Sequence, residues 1–371
     1  MRKILFHLNC LEQGGAERVV STLANAFARD GEEVVVATEW KGENEFALDE
    51  RVKRVIVGPK ESDENRSRAA KVLLRIKYLK ECIKEEKPDV VIAFAQNANY
   101  RALMTTRDMP EVPVIIAVRT DPVGHYDRPV DKIMIPLTYP RADGSVFQTE
   151  GQRDFFPDYI RNNSRIILNP VNDKYLNIPV EQNKEKAIVQ SARLVDFKNQ
   201  PMLIRAFLEV HKRHPDYCLK IYGPDSHDGT REILESIIAE NDASGYVHLM
   251  GGCDELEKEL PKGEIYVLSS NFEGMPNSLL EAMTMGLPVI ATDCPCGGPR
   301  TVIQSGENGL LIPMDDAEAM TEAICRLIED KEFAASLGEK ARLISKDINS
   351  EAVIACWKQY IEEVITAKKS K

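Results

Sequence analysis

The sequence predicts an α/β protein with two parallel sheets, each covered by helices on both faces. Three observations carry this. Short apolar runs alternate along the chain with stretches whose apolar residues recur three and four apart, the periods of strand and helix. The alternation stops in a polar stretch over residues 172–186 and then begins again. The length, 371 residues, suits two domains at roughly 150 residues each, both large enough to bury a core. Parallel sheets follow from the alternation, because each crossover between parallel strands needs a helix to bring the chain back.

In chain order, the first strand is expected over residues 3–9. Arg2-Lys3 ahead of Ile4-Leu5-Phe6 imitates an export signal, but His7, Asn9 and Glu12 interrupt the run before any small-residue cleavage site, so export is not expected. A helical pattern over 16–29 leads to strands at 33–38 and 52–57, and a second over 67–86 leads to strands at 89–94, 114–117, 145–148 and 165–168. The longest apolar runs, Val90 to Ala95 and Val112 to Val118, fall far short of the ~18 residues that span a bilayer and fit buried strands. After the polar stretch, strands are expected at 187–191, 218–222, 247–249, 264–268, 288–291 and 310–312, with helices between them. Three helices, 315–329, 331–344 and 350–367, close the sequence without another strand. The last either caps the second domain or packs back over a neighbouring one. No short-period repeat is present.

Composition narrows the function. Hydrophobic residues at 43% and charged residues at 29% exclude a disordered or collagen-like chain. Residues 1–180 carry 27 basic and 27 acidic residues, so the net charge of −11 lies in the remainder. Nucleic acid is not an expected partner, since duplex binding rests on basic surface. One segment opposes the trend: between Arg66 and Lys80 stand six basic residues and no acid. The eight cysteines have no framework spacing and read as reduced thiols, and Cys294-Pro295-Cys296 lacks a second pair for structural zinc.

Open parallel sheets bind ligands where a strand's carboxyl end feeds a helix, so chemistry is expected at these turns. Gly14-Gly15-Ala16-Glu17-Arg18 follows the first strand, and paired glycines there either bring backbone amides to an anion or make a tight turn and cap. The dinucleotide pattern Gly-x-Gly-x-x-Gly is absent, against a nicotinamide enzyme. In the loop after the first strand of the second domain, Arg193 and Lys198 either clamp one anionic group or stand as solvated charges, with Arg193 paired to Asp196. A third turn runs Ser269-Ser270-Asn271-Phe272-Glu273-Gly274-Met275-Pro276-Asn277-Ser278-Leu279-Leu280-Glu281. Pro276 suits the first helical position, and the helix is expected to stop at Gly286. Glu281 is flanked by apolar residues, so burial would demand a hydrogen-bonding partner such as a ribose or sugar hydroxyl. The alternative is that Glu273 only complements the helix dipole and Glu281 faces water.

Taken together, these residues resemble family 4 glycosyltransferases over essentially the whole chain. The resemblance is most specific where Glu273 and Glu281 are followed by Gly286-Leu287-Pro288-Val289-Ile290-Ala291-Thr292-Asp293 and Gly297-Gly298-Pro299-Arg300, and it extends to Arg193, Lys198, Asn169-Pro170-Val171 and the Gly14-Gly15 turn. It implies the GT-B fold: two Rossmann-like domains facing across a cleft, with an acceptor-binding domain of residues 1–170, a nucleotide-sugar-binding domain of residues 171–347, and residues 348–371 crossing back to the first. It implies roles as well. Arg193 and Lys198 would hold the donor diphosphate and neutralise charge on the leaving group. Glu281 would bind ribose hydroxyls, and Glu273 hydroxyls of the transferred sugar. Backbone groups of Gly274, Met275, Pro276, Asn277 and Ser278 would assist at the sugar and phosphate, and amides of Gly14 and Gly15 would close over the diphosphate. Metal and other cofactors are not expected. Departures occur at Ala117-Val118-Arg119-Thr120-Asp121-Pro122, where many members carry a histidine and neither Arg119 nor Asp121 takes an assigned role, and at Tyr222-Gly223-Pro224, where two glycines are commoner.

The implied activity is retaining transfer of a hexose or N-acetylhexosamine from a UDP-sugar to a glycan or polyprenyl-linked acceptor, as in polysaccharide or glycoconjugate synthesis. Same-face attack is expected, the departing phosphate oxygen helping to take the acceptor proton. A nucleotide-sugar epimerase of similar build and a non-enzymatic two-lobed sugar-binding protein are the rivals. A cytoplasmic location is expected. Val72, Leu73, Ile76, Leu79 and Ile83 form an apolar stripe among the basic residues Arg66 to Lys80. That helix either rests on an anionic membrane at the inner face of the cell or packs on its own domain with a solvated basic rim.

Overall fold

A computed structural model describes residues 1–12, 14–179, 181 and 183–370. The chain forms two compact units: residues 1–170 with 350–371, and residues 171–349.

The first unit is built on a seven-stranded parallel sheet. Its strands are β1 (Lys3–Leu8), β2 (Glu33–Thr38), β3 (Lys53–Ile56), β4 (Val90–Phe94), β5 (Val114–Ala117), β6 (Gly144–Phe147) and β7 (Ser164–Ile166), in the order β3-β2-β1-β4-β5-β6-β7. Successive residues of β1 serve opposite faces. Ile4, Phe6 and Leu8 join one core with Val20, Leu23 and Phe27, while Leu5 joins another with Val35, Leu79, Ile83 and Leu103. Both faces of the strand are buried, which is why Ile4, Leu5 and Phe6 are apolar without alternation. The first core is completed by the helix Ser350–Lys369, which resolves the choice left open for the terminal helix: its Trp357 lies fully buried with ring centre 5.6 Å from that of Phe94. Tyr360 on the same helix donates to the carbonyl of Asn163 at 2.7 Å and accepts from the amide of Ser145 at 2.9 Å.

The helix Arg68–Glu86 divides the apolar stripe expected of it. Leu79 and Ile83 enter the core, whereas Val72 and Leu73 are 50% and 67% exposed. Between the strands, Gln96–Thr105, Pro122–His125 and Pro129–Thr138 are helices. The starting signals are present: the Asp121 carboxylate accepts from the Val123 amide at 3.1 Å, and proline opens each of the last two helices, where no amide hydrogen is needed.

The second unit holds β8 (Ala187–Ser191), β9 (Cys218–Tyr222), β10 (Val247–Gly251), β11 (Ile265–Leu268), β12 (Val289–Thr292) and β13 (Leu310–Ile312), all parallel, in the order β10-β9-β8-β11-β12-β13. One face packs Ile188, Leu219, Ile221 and Val267 under Leu203, Phe207, Leu234, Met320 and Leu327 from the helices Gln200–Arg213, Thr230–Glu240 and Ala317–Glu329. β12 begins one residue after Pro288, which has no amide hydrogen to give a ladder.

Candidate active site

In the second unit the strand order reverses between β8 and β11, the place where open parallel sheets part their loops and leave a crevice. The loop after β8 carries Arg193 and Lys198, and the loop after β11 carries Ser270, Glu273 and Gly274. The two loops are stitched to each other. The Asn271 amide donates to the Phe197 carbonyl at 2.8 Å, Ser269 Oγ donates to the Lys198 carbonyl at 2.7 Å, and Gln190 Nε2 donates to Ser269 Oγ at 2.9 Å. Asn199, at φ 49°, ends the first loop and bonds Asn271 Oδ1 at 2.9 Å and Asp315 Oδ1 at 2.7 Å.

This stitching joins Lys198 and Glu273 in an ion pair between Nζ and Oε1, although they stand 75 positions apart. Ser270 Oγ donates to the same Oε1 at 2.7 Å. The two side chains are 14% and 10% exposed, and the ammonium lies 5.4 Å from the centre of the Phe197 ring. Arg193 is exposed and makes no ion pair among the described residues. The expected alternative, a pair with Asp196, does not form; the Asp196 amide instead donates to Asp228 Oδ2 at 3.3 Å. The backbone of Arg193 is fixed by Gln200, whose Nε2 donates to its carbonyl at 2.8 Å.

Above β11 the helix runs Asn277–Thr284, with Pro276 as its cap rather than its first residue, at φ −74° and ψ 109°. An extended ψ there keeps Pro276 outside the helical turn, and its carbonyl accepts from the Leu279 and Leu280 amides. Asn277 and Ser278 are the first two helical residues, the position of positive partial charge. Glu281 is 4% exposed on this helix. The helix ends as expected at Gly286, at φ 78°: the Gly286 amide bonds the Met283 carbonyl and the Leu287 amide the Ala282 carbonyl, a termination that favours glycine. Gly298 has a different reason. A Cβ there would stand 2.0 Å from the carbonyl oxygen of Gly274, so the turn after β12 lies directly against the Glu273 loop. From β12, Thr292 Oγ1 donates to the Ser270 carbonyl, as does Cys294 Sγ at 3.1 Å. Burial pushes the Cys294 thiol up to about 12, which keeps its proton in place for that bond.

Gly14 and Gly15 lie in the first unit. They follow β1, where that sheet's order reverses between β1 and β4. Gly14 precedes the helix Gly15–Arg29 with extended backbone and without a side-chain cap. Arg119, at the end of β5, is buried. Its guanidinium lies 5.1 Å from the Phe94 ring centre and 5.4 Å from that of Trp357, and it donates to Asn169 Oδ1 at 3.2 Å. Sequence reasoning missed Ser270, Thr292 and Cys294 as supports of the Glu273 loop. Only Ser270 carried a local signal, a hydroxyl three residues before a carboxylate.

Among the described residues no helix is long and apolar enough to cross a membrane. Two family models match: "Glycosyltransferase Family 4" over residues 13–175 and "Glycosyl transferases group 1" over residues 171–344. An uncharacterized glycosyltransferase of Haemophilus influenzae is 25% identical over 96% of this chain and 99% of its own. The GalNAc-alpha-(1->4)-GalNAc-alpha-(1->3)-diNAcBac-PP-undecaprenol alpha-1,4-N-acetyl-D-galactosaminyltransferase of Campylobacter jejuni is 24% identical over 99% of this chain and 100% of its own. Among solved structures, Anabaena HepE in complex with UDP-glucose superposes with a TM-score of 0.82 at 18% identity, covering 99% of this chain and 100% of that one. At that identity the likeness speaks for the fold. The chain belongs to the family 4 glycosyltransferases and has the GT-B fold.

Proposed function

We propose that this glycosyltransferase moves a hexose or N-acetylhexosamine from a UDP-sugar to a hydroxyl of a glycan or lipid-linked acceptor, with anomeric configuration retained. The observation that carries the proposal is the Lys198–Glu273 pair at the reversal of strand order, with Arg193 exposed in the same loop and Glu281 buried on the helix above. Lys198 and Arg193 answer the donor diphosphate and the charge that grows on it as the glycosidic bond breaks. Glu273 accepts from hydroxyls of the transferred sugar, and Glu281 from those of ribose. Backbone groups from Gly274 to Ser278 assist at the sugar and phosphate, and Gly14 and Gly15 offer backbone amides to a phosphate at the edge of their own sheet. These protein groups take the part a metal plays elsewhere. HepE, which shares the fold, was solved with UDP-glucose, and the Campylobacter relative is named for a PP-undecaprenol acceptor; both favour this donor and acceptor class.

The experiment is turnover across a panel of nucleotide sugars with lipid-linked and soluble acceptors, reading the anomeric configuration of the product. Lys198→Ala is expected to lose about 10²–10³ in kcat, the usual cost of removing one stabilising donor from developing charge. Undiminished turnover by that variant would refute the role given to Lys198. A nucleotide sugar altered without any acceptor would point to the epimerase instead.

For the partner surface we propose the first turns of the helix Arg68–Glu86. Exposed Val72 and Leu73 stand there beside Arg66, Arg68 and Lys71, suited to shallow contact with an anionic membrane. Flotation with anionic and with zwitterionic vesicles tests it, and protein left wholly unbound by the anionic set rules it out.

A further inference from the structure

We infer that Ser270 is a positioning residue for the donor sugar, holding Glu273 in its working orientation independently of Lys198. The inference rests on the roles proposed above for Glu273 and Lys198. Ser270 is fully buried, and its Oγ donates to Glu273 Oε1 at 2.7 Å, the oxygen that also meets Lys198 Nζ. Both protein donors therefore fall on one carboxylate oxygen, and Oε2 takes none among the described residues. A carboxylate held this way presents a single oxygen to a sugar hydroxyl.

The two donors differ in what they do when a diphosphate is bound. Lys198 carries a point charge on a flexible four-carbon stem, so phosphate oxygens compete with Glu273 for its three protons. Ser270 has no such second duty. Its hydroxyl sits on a backbone pinned from three directions: the Ser270 carbonyl accepts from Thr292 and Cys294, the preceding Ser269 bonds the Lys198 carbonyl, and the following Asn271 amide bonds the Phe197 carbonyl. As Lys198 turns to the diphosphate, Ser270 keeps Oε1 anchored and Oε2 aimed. Donor-sugar recognition thus stays in register while the cation changes partner, which is how a rigid supporting group serves a reacting centre.

The experiment is a double-mutant cycle on Ser270→Ala and Glu273→Gln, measuring kcat and KM for the nucleotide sugar, Kd for UDP alone, and Tm. Ser270→Ala is expected to lower kcat/KM for the nucleotide sugar by about tenfold to hundredfold, the range for a hydrogen bond to a charged group, with UDP affinity and Tm unchanged. In the Glu273→Gln background the same change is expected to cost nothing further, because its effect runs through that carboxylate. Additive losses, or a fall in UDP affinity or Tm that parallels the loss of activity, would overturn the inference in favour of a structural role. Normal turnover by Ser270→Ala beside an impaired Glu273→Gln would overturn it while leaving the sugar-binding role of Glu273 intact. Normal turnover by Glu273→Gln would remove that underlying role instead.

Discussion

The carboxyl edges of the two sheets follow one topological plan and treat their charges in opposite ways. In the second unit, Lys198 and Ser270 satisfy one oxygen of Glu273 and leave the other without a donor among the described residues. In the first, the charged groups are consumed by the protein itself. Glu39, 5% exposed, is held by Arg75 at 2.6 Å and by Arg101. Arg119 packs against both Phe94 and Trp357, and burial brings its guanidinium down to about 9. His7 donates from Nδ1 to the Ala37 carbonyl at 3.0 Å, which leaves Nε2 as an acceptor facing Arg101 Nε at 3.5 Å. Desolvation first, then the charge of Arg101, holds His7 down to about 3. The contrast teaches that a strand's carboxyl end is only a location. It offers groups to a ligand where the local partners leave an acceptor or a cation outward, as around Glu273 and Arg193, and it serves packing where they do not.

The sharpest way to break this contrast is to empty the packed edge. Trp357→Ala is expected to cost about 3–5 kcal/mol of the first unit's stability, the range for deleting a large buried aromatic side chain. A urea titration followed by circular dichroism would show it, and an unmoved midpoint would mean that the aromatic stack is not what fixes Arg119. Acid probes the same edge more gently. The folded value of His7, about 3, lies below the 6.5 of an unfolded chain, so between those pH values the unfolded state binds a proton that the folded state refuses. Stability is therefore expected to fall by about 1.4 kcal/mol per pH unit on acidification through that window. A plot of Tm against pH for His7→Gln should be flatter than for the parent, and two parallel curves would remove His7 from the account. The smallest effect belongs to the open edge. Arg193→Ala is expected to lower kcat/KM for the nucleotide sugar by about tenfold, through loss of a cation that answers the diphosphate and its growing charge, without changing Tm. A shifted melting temperature would show that Arg193 is structural after all.

Much of this architecture was legible in the residues. The central strands, such as β4 and β11, appeared as short apolar runs, because strands buried on both faces show it over a few contiguous residues. The Glu273-to-Gly286 segment declared itself through a proline ahead of a helix and a glycine behind it. What escaped depends on distant residues meeting. Phe94, Arg119 and Trp357 are scattered along the chain and become one stack only when the last helix lies on the first sheet. Lys198 and Glu273 each looked suited to a ligand, and nothing local announced that they bind each other. The stripe from Val72 to Ile83 has one period, yet its two ends face different surroundings, since only the later turns reach the core.

That first unit is discontinuous, and this has a consequence for how the molecule is made. During synthesis the ribosome delivers the seven strands early, but the side chains of Trp357, Tyr360 and Ile361 that seal one face of their sheet emerge last. Until then the side of Phe94 that Trp357 covers stays open while the whole of the second unit is translated. The second unit, contiguous from 171 to 349, is complete before the first can close. Maturation therefore runs against the order of translation, and the final twenty residues act as the latch of the opening hundred and seventy.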